Sequence, residues 1–390
     1  MTDHEWNLDS LAVHAGREDL ADLGVHVPPI DLSSTYPLPD IESGGMSYDA
    51  MANGGEPTDG GPVYARLWNP TVARFEEGLA RLEGTDTAIA FASGMAALTA
   101  TLLAASSQGN GRHVVAVRPL YGGTDHILDA GLLGTEVTYC DAHEISGALR
   151  EDTCLVVLET PANPTLQLVD LRAVTKAAAG RPVLVDNTFA TPVLQNPTEF
   201  GVDLVLHSAT KYLGGHGDVV AGVVATTTEW AAKIRPIRAI TGGILHPLAG
   251  YLLHRGLATL PLRVRAQQDS ARQLADWLTT LSGVKTVYYP GLASCDPEGL
   301  VGRQMRGPGA MIALDLVGGY AHAAQMIKRL RLFTHAVSLG GVDSLIQHPA
   351  ALTHRIVAEG ARPNPGIVRL SIGLEDIADL RADLEQAIGD

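Results

Sequence analysis

Between residues 63 and 258 short apolar runs alternate with stretches of helical period. Thr87–Phe91, His113–Val117, Glu136–Tyr139, Cys154–Leu158, Pro182–Val185, Leu204–Leu206 and Val219–Ala225 each read as a strand. Most are nearly continuous in Val, Leu and Ala rather than alternating with polar residues, the pattern of strands covered on both faces. Thr71–Leu82 places Phe75, Leu79 and Leu82 on one helical face, and Gly94–Ala105 and Leu171–Ala179 are also helix-compatible. The pattern predicts an α/β domain with a mostly parallel central sheet. Beyond Leu257 a long helix (Leu262–Leu281), strands at Val284–Tyr288 and Ala310–Leu316, a helix at Ala321–Leu330 and a last helix from Asp376 predict a smaller α+β domain. At the other end Leu8–Ala15 reads as a short helix, while Ile41–Pro62, with Gly-Gly pairs and little apolar content, reads as a mobile loop. Three segments follow: an extended arm with a loop (1–62), an α/β domain (63–258) and a C-terminal domain (259–390).

At 390 residues the chain is long enough for two domains and a sizeable core. Its formal net charge of −15 argues against nucleic acid or an anionic membrane as partner, so an anionic substrate would need locally placed cations. Three cysteines, Cys140, Cys154 and Cys295, form no CxxC pair and suggest reduced thiols, without a zinc pattern or any other metal spacing. The acidic N-terminal stretch does not read as a signal peptide, and no apolar run has bilayer length, which together point to the cytoplasm.

Candidate chemistry gathers where strands end, the usual ligand position of open α/β sheets. In Leu204–Gly222 (LVLHSATKYLGGHGDVVAG), Lys211 stands between hydroxyl residues in a turn joining two apolar runs. It is either a surface lysine in a loop or an amine that forms a Schiff base with an aldehyde cofactor. Ser93-Gly94-Met95 opens a helix directly after a strand, either as an ordinary cap or as an anion-binding N-terminus. Asp186 could cap a helix or face a protonated ring nitrogen, Asn163 lies in a proline-framed turn, and Tyr121 either anchors a loop or stacks on a planar ring. His207 and His216, on either side of Lys211, suit packing or loop hydrogen bonds.

In order along the chain, Tyr64-Ala65-Arg66-Leu67-Trp68-Asn69-Pro70-Thr71, Ala92-Ser93-Gly94-Met95, Leu120-Tyr121-Gly122, Glu159-Thr160-Pro161-Ala162-Asn163-Pro164, Asp186-Asn187-Thr188, His207-Ser208-Ala209-Thr210-Lys211-Tyr212, Ser338-Leu339-Gly340-Gly341 and Val368-Arg369-Leu370-Ser371 resemble the Cys/Met-metabolism (trans-sulfuration) family of pyridoxal-phosphate enzymes. The resemblance implies the PLP-dependent transferase-like fold (fold type I) and pyridoxal 5'-phosphate as cofactor. It implies that Lys211 carries the internal aldimine and that Asp186 pairs with the pyridine nitrogen. Ser93, Gly94, Met95, Ser208 and Thr210 would hold the phosphate, with Tyr64 and Arg66 reaching in from a neighbouring subunit. Tyr121 would stack on the ring and assist the leaving group, Asn163 would contact the ring hydroxyl, and Arg369 with Ser338 would grip the substrate carboxylate. The implied assembly is a homotetramer, a dimer of dimers with shared active sites, acting on a small amino acid.

The family resemblance also bears on substrate. Val337 resembles the residue of methionine γ-lyases, whereas cystathionine-using members carry glutamate there, and Leu345-Ile346-Gln347-His348-Pro349 resembles the methionine enzymes too. Gly123, where those enzymes usually have cysteine, and Arg238-Ala239, where they have Lys-Asp, are departures expected to bear on substrate recognition. The expected activity is γ-elimination from L-methionine. Cystathionine γ-lyase, cystathionine γ-synthase or O-acylhomoserine sulfhydrylase activity, and a non-catalytic PLP-binding module, are the alternatives.

Overall fold

The computed structural model describes residues 6–389 except 108, 110 and 356–362. Residues 1–5, the start of the expected N-terminal arm, therefore lie outside the described chain. The first sheet has seven strands: β1 (Thr87–Phe91), β2 (His113–Val117), β3 (Glu136–Cys140), β4 (Thr153–Glu159), β5 (Val183–Asp186), β6 (Leu204–His207) and β7 (Gly222–Thr226), in the order β1-β7-β6-β5-β4-β2-β3. Only β7 runs against its neighbours. Successive side chains of one strand feed two different cores: Val156, Leu158, Val183 and Val185 go to one, Leu155, Val157 and Leu184 to the other. The near-continuous apolar runs thus follow from burial on both faces.

The first five helices are α1 (Leu8–His14), α2 (Ile41–Ala52), α3 (Pro70–Glu83), α4 (Gly94–Ser107) and α5 (Gly122–Asp129), of which α4 and α5 bring residues to the site. In α3 the Asn69 side chain accepts from the amides of Thr71 and Val72, Pro70 occupies the first turn, and Gly84 ends the helix at φ +68°. Phe75, Leu79 and Leu82 are buried on its inner face, as their spacing requires.

A second sheet is formed by β8 (Val284–Tyr288), β9 (Met311–Leu316), β10 (Thr334–His335), β11 (Leu345–Gln347) and β12 (Ile367–Ser371), in the order β10-β11-β12-β9-β8. The fold is α/β with a mostly parallel sheet and a smaller C-terminal α+β part.

One expectation is overturned. Ile41–Ala52 is a helix, not part of a mobile loop. Asp40 caps it by accepting from the Ser43 amide at 2.7 Å. Ser47 donates to the Gly61 carbonyl at 2.7 Å and accepts from the Thr58 amide at 3.1 Å, which fastens the segment that follows. Gly44 has a packing role, since a Cβ there would come within 2.9 Å of the Leu38 side chain. Among the described residues no helix is long and apolar enough to cross a membrane.

Candidate active site

The C-terminal ends of β4, β5 and β6 and the N-termini of α4 and α5 open into a cavity of about 750 Å³, closed on its far side by residues of the second sheet. Lys211 lies in the turn between β6 and β7. Its Nζ donates to Ser338 Oγ at 2.9 Å. Burial and the nearby Arg369 guanidinium push its amine down to about 8, against an opposing pull from Asp186.

Asp186 ends β5 beside Glu159 at the end of β4, the two being paired in register. Burial raises the proton affinity of the Asp186 carboxyl, partly offset by two bonds from Thr188 to Oδ1: the amide at 3.0 Å and the hydroxyl at 2.5 Å. Thr188 Oγ1 also accepts from the Ser208 amide at 2.8 Å, so β5 and β6 are tied together at their ends. Burial and Asp186 lift Glu159 to about 8, while the amides of Asn163 and Tyr121 pull the other way.

Ser93 caps α4 by accepting from the Ala96 amide at 3.1 Å. Gly94 and Met95 follow in the first turn, where backbone N–H groups have no carbonyl within the helix to meet. This turn is a close cradle: a Cβ on Gly94 would stand 3.2 Å from Ser208 Cβ, and one on Gly222 would stand 2.2 Å from the Ser93 carbonyl oxygen. Thr210 lines the cavity, with its hydroxyl exchanging bonds with the backbone of Ala221 at 3.1 and 3.0 Å. Tyr121 immediately precedes α5, and its ring lies against Gly123, whose Cβ, were there one, would fall 2.6 Å from Cε1.

Arg369, on β12, crosses from the second sheet. Nη1 donates to Asn163 Oδ1 at 2.7 Å, and Nη2 donates to Gln347 Oε1 at 2.6 Å and the Ser338 carbonyl at 3.1 Å. Its Nε is buried without a partner. Ser338, which meets both Lys211 and Arg369, is held at φ +92°, a strained conformation for a residue with a side chain. Val337 and Val220 line the cavity and are both more than half exposed.

Most of the residues expected from the sequence thus meet in one cavity: Lys211, Tyr121, Ser93, Gly94, Met95, Asn163, Asp186, Ser208, Thr210, Val337, Ser338 and Arg369. Tyr64 and Arg66 do not join them. Arg66 Nη1 donates to the Ala239 carbonyl at 2.7 Å, its guanidinium lies 5.3 Å from the Tyr64 ring, and Tyr64 is exposed. A correction concerns Arg238, expected to bear on substrate recognition. It is buried, bonded to Glu76 at 2.5 Å and to the Ala90 carbonyl at 3.0 Å, and does not line the cavity. Sequence reasoning gave no role to Glu159, Thr188 or Gln347. The available signal for Glu159 was a carboxylate directly after an apolar strand. His207 bonds Glu83 at 2.6 Å and His216 bonds the Gly214 carbonyl at 2.8 Å, the packing and loop roles expected of them.

The family model described as Cys/Met metabolism PLP-dependent enzyme matches residues 9–389. The chain belongs to this family. As a family member it is an enzyme dependent on pyridoxal phosphate, and the cavity fits that group: a half-buried amine and a half-buried carboxylate line it together with a helix N-terminal turn whose Gly94 packs closely on Ser208. An L-methionine γ-lyase from Brevibacterium sandarakinum is 57% identical over 381 residues, covering 97% of both chains. One from Streptomyces avermitilis is 57% identical over 386 residues, covering 98% of this chain and 89% of that one. Among solved structures, a cystathionine γ-lyase from Micromonospora echinospora superposes with a TM-score of 0.88 at 39% identity, covering 98% of this chain and 99% of that one. A cystathionine γ-synthase from Xanthomonas oryzae gives 0.90 at 36%, covering 99% and 98%.

Proposed function

We propose that this PLP-dependent enzyme is a methionine γ-lyase, which splits L-methionine into methanethiol, 2-oxobutanoate and ammonia. The observation that carries this is the 57% identity, over 97% of the chain, to an L-methionine γ-lyase. The wall of the cavity agrees: Val337 and Val220 offer apolar surface suited to a thioether methyl.

Bound pyridoxal phosphate supplies an electron sink for charge developing at the substrate Cα. Lys211 Nζ would hold the cofactor's aldehyde carbon and, as a free amine, would move the substrate Cα proton. An amine near neutral pKa suits that duty better than one at the usual lysine value. Asp186 would pair with the pyridine nitrogen and keep its proton in place. The Gly94 and Met95 amides with Ser93, Ser208 and Thr210 hold the phosphate at the α4 N-terminus, where the helix dipole favours an anion. Tyr121 would stack on the ring, and its hydroxyl would supply a proton to the departing sulfur. Asn163, with its carbonyl oxygen committed to Arg369, keeps an amide donor for the ring oxygen. Arg369 and Ser338 bind the substrate carboxylate.

The site is completed by a second copy of the chain, whose Tyr64 and Arg66 add a hydroxyl and a guanidinium to the phosphate. This is supported by their position outside the cavity and by the apolar side chains exposed on neighbouring α2, Ile41 and Met46. Two such dimers form the tetramer, and the acidic, cysteine-poor chain suits the cytoplasm. The name of one structural neighbour, a cystathionine γ-lyase from Lactobacillus plantarum, favours a second reading, γ-elimination from cystathionine.

Incubating the holoenzyme with L-methionine alone tests the proposal. Equal amounts of 2-oxobutanoate and ammonia are expected, and none from Lys211→Ala. Product that appears only when an acylated homoserine and a thiol are supplied would make the enzyme a synthase.

A further inference from the structure

Glu159 is buried at the end of β4, and the chemistry proposed above leaves it without a task. Both of its carboxylate oxygens are engaged: Oε2 accepts from the Tyr121 amide at 2.8 Å and Oε1 from the Asn163 amide at 2.6 Å. These amides belong to two separate connections, one following β2 and one following β4. Asn163 passes the linkage on through Oδ1 to Arg369, which is bonded in turn to Gln347 and to the Ser338 carbonyl. A single side chain therefore stands at the root of a hydrogen-bonded path from the stacking tyrosine to the carboxylate-binding arginine.

Burying a carboxylate beside Asp186 is costly, and an uncharged residue would avoid that cost. What glutamine lacks is a second acceptor. A carboxyl group keeps lone pairs on both oxygens whether ionised or protonated, and so accepts from both amides, whereas glutamine would turn an NH2 group with no lone pair to offer toward one of the two backbone donors. The position thus demands two acceptors at once, aimed at two loops.

We infer that Glu159 is a positioning residue that sets Tyr121 and the Asn163–Arg369 pair in fixed relation, so that cofactor stacking and carboxylate binding are built as one unit. The inference rests on the site reading given above, in which Tyr121 covers the cofactor and Arg369 grips the substrate.

The test uses holoenzyme carrying Glu159→Gln and Glu159→Asp. Visible circular dichroism of the bound cofactor reports the placement of Tyr121. Spectral titration with glycine, which has the α-carboxylate and amine but no side chain, reports the grip of Arg369. Glu159→Gln is expected to lose at least about half the visible dichroism, weaken glycine about 10-fold and lower kcat/KM for methionine about 100-fold, as sub-ångström misplacement does. Glu159→Asp, which keeps two acceptor oxygens, recovers part of each. A lowered Tm with wild-type dichroism and glycine affinity in Glu159→Gln would overturn the inference and leave a purely structural role. If Glu159→Gln does not fold, Glu159→Asp decides: intermediate glycine affinity supports the inference, and wild-type values in both readouts overturn it. Wild-type enzyme that binds glycine but releases no keto acid from methionine sinks the proposed substrate while these outcomes still judge Glu159. Failure of wild-type holoenzyme to bind glycine would sink the site reading and this inference with it.

Discussion

Lys211 illustrates how burial sets chemistry at a single residue. Its pKa of about 8 in the fold compares with 10.5 for the free side chain. Between those values the unfolded chain holds more protons than the folded one, so this group's contribution to stability rises with pH through that window and is least favourable below pH 8. Cofactor-free Lys211→Met is therefore expected to be more stable than cofactor-free wild type at pH 7, by on the order of 1–3 kcal/mol, with the gap closing near pH 10.5. Denaturant unfolding at the two pH values checks this, and a gap that widens with pH contradicts it. Arg369 binds through a planar fork whose arms are already committed in two directions. Replacing it with lysine removes that fork, and KM for methionine is expected to rise about 100-fold with a smaller fall in kcat. At Val337, glutamate would put a carboxylate at an exposed wall position of the cavity. Val337→Glu is expected to lower kcat/KM for methionine and raise it for cystathionine, and steady-state rates on both substrates would show it.

Among the elements, the junction between β7 and α4 is a tight support of the site. A Cβ on Gly222 would press on the Ser93 carbonyl at 2.2 Å, so Gly222→Ala should displace the α4 N-terminal turn. The expected result is at least a 10-fold loss of pyridoxal phosphate affinity by equilibrium dialysis, as donors leave their places. Strand positions of the first sheet were legible in the sequence to within a residue or two, because strands buried on both faces leave an unbroken apolar signature between polar turns, whereas the short β10 and β11 of the second sheet were not foreseen. The second apolar run was the exception: it was expected from Val219, but β7 begins at Gly222 because Val219 and Val220 line the cavity instead of joining the sheet. Helix α2 was illegible for a different reason. Its Gly44 packs closely against Leu38, Asp40 caps its start, and Ser47 ties it to the segment that follows, none of which has an apolar period. Motif order brought Lys211, Asp186 and Arg369 to notice, yet Gln347 acts through Arg369, and Thr188 through the Asp186 carboxylate and the distant Ser208 amide. No spacing rule could have announced them.

For the molecule as a whole, two sheets must be held together before the site exists, since Arg369 of β12 meets Asn163 from beyond β4. Completion by a second copy makes a further prediction. Lys211→Ala and Arg66→Ala enzymes, each inactive, should regain about a quarter of wild-type activity when unfolded and refolded together, because half the dimers are mixed and one of their two sites is intact. No recovery would place Arg66 outside any shared site. The measurement that tests the central proposal most directly is kcat/KM for L-methionine against L-cystathionine on the same holoenzyme, followed by 2-oxobutanoate release with Lys211→Ala as the blank. The proposal predicts a clear preference for methionine and no signal from the blank. A preference for cystathionine would contradict it, leaving the fold and cofactor in place but removing the apolar wall at Val337 as the basis of specificity.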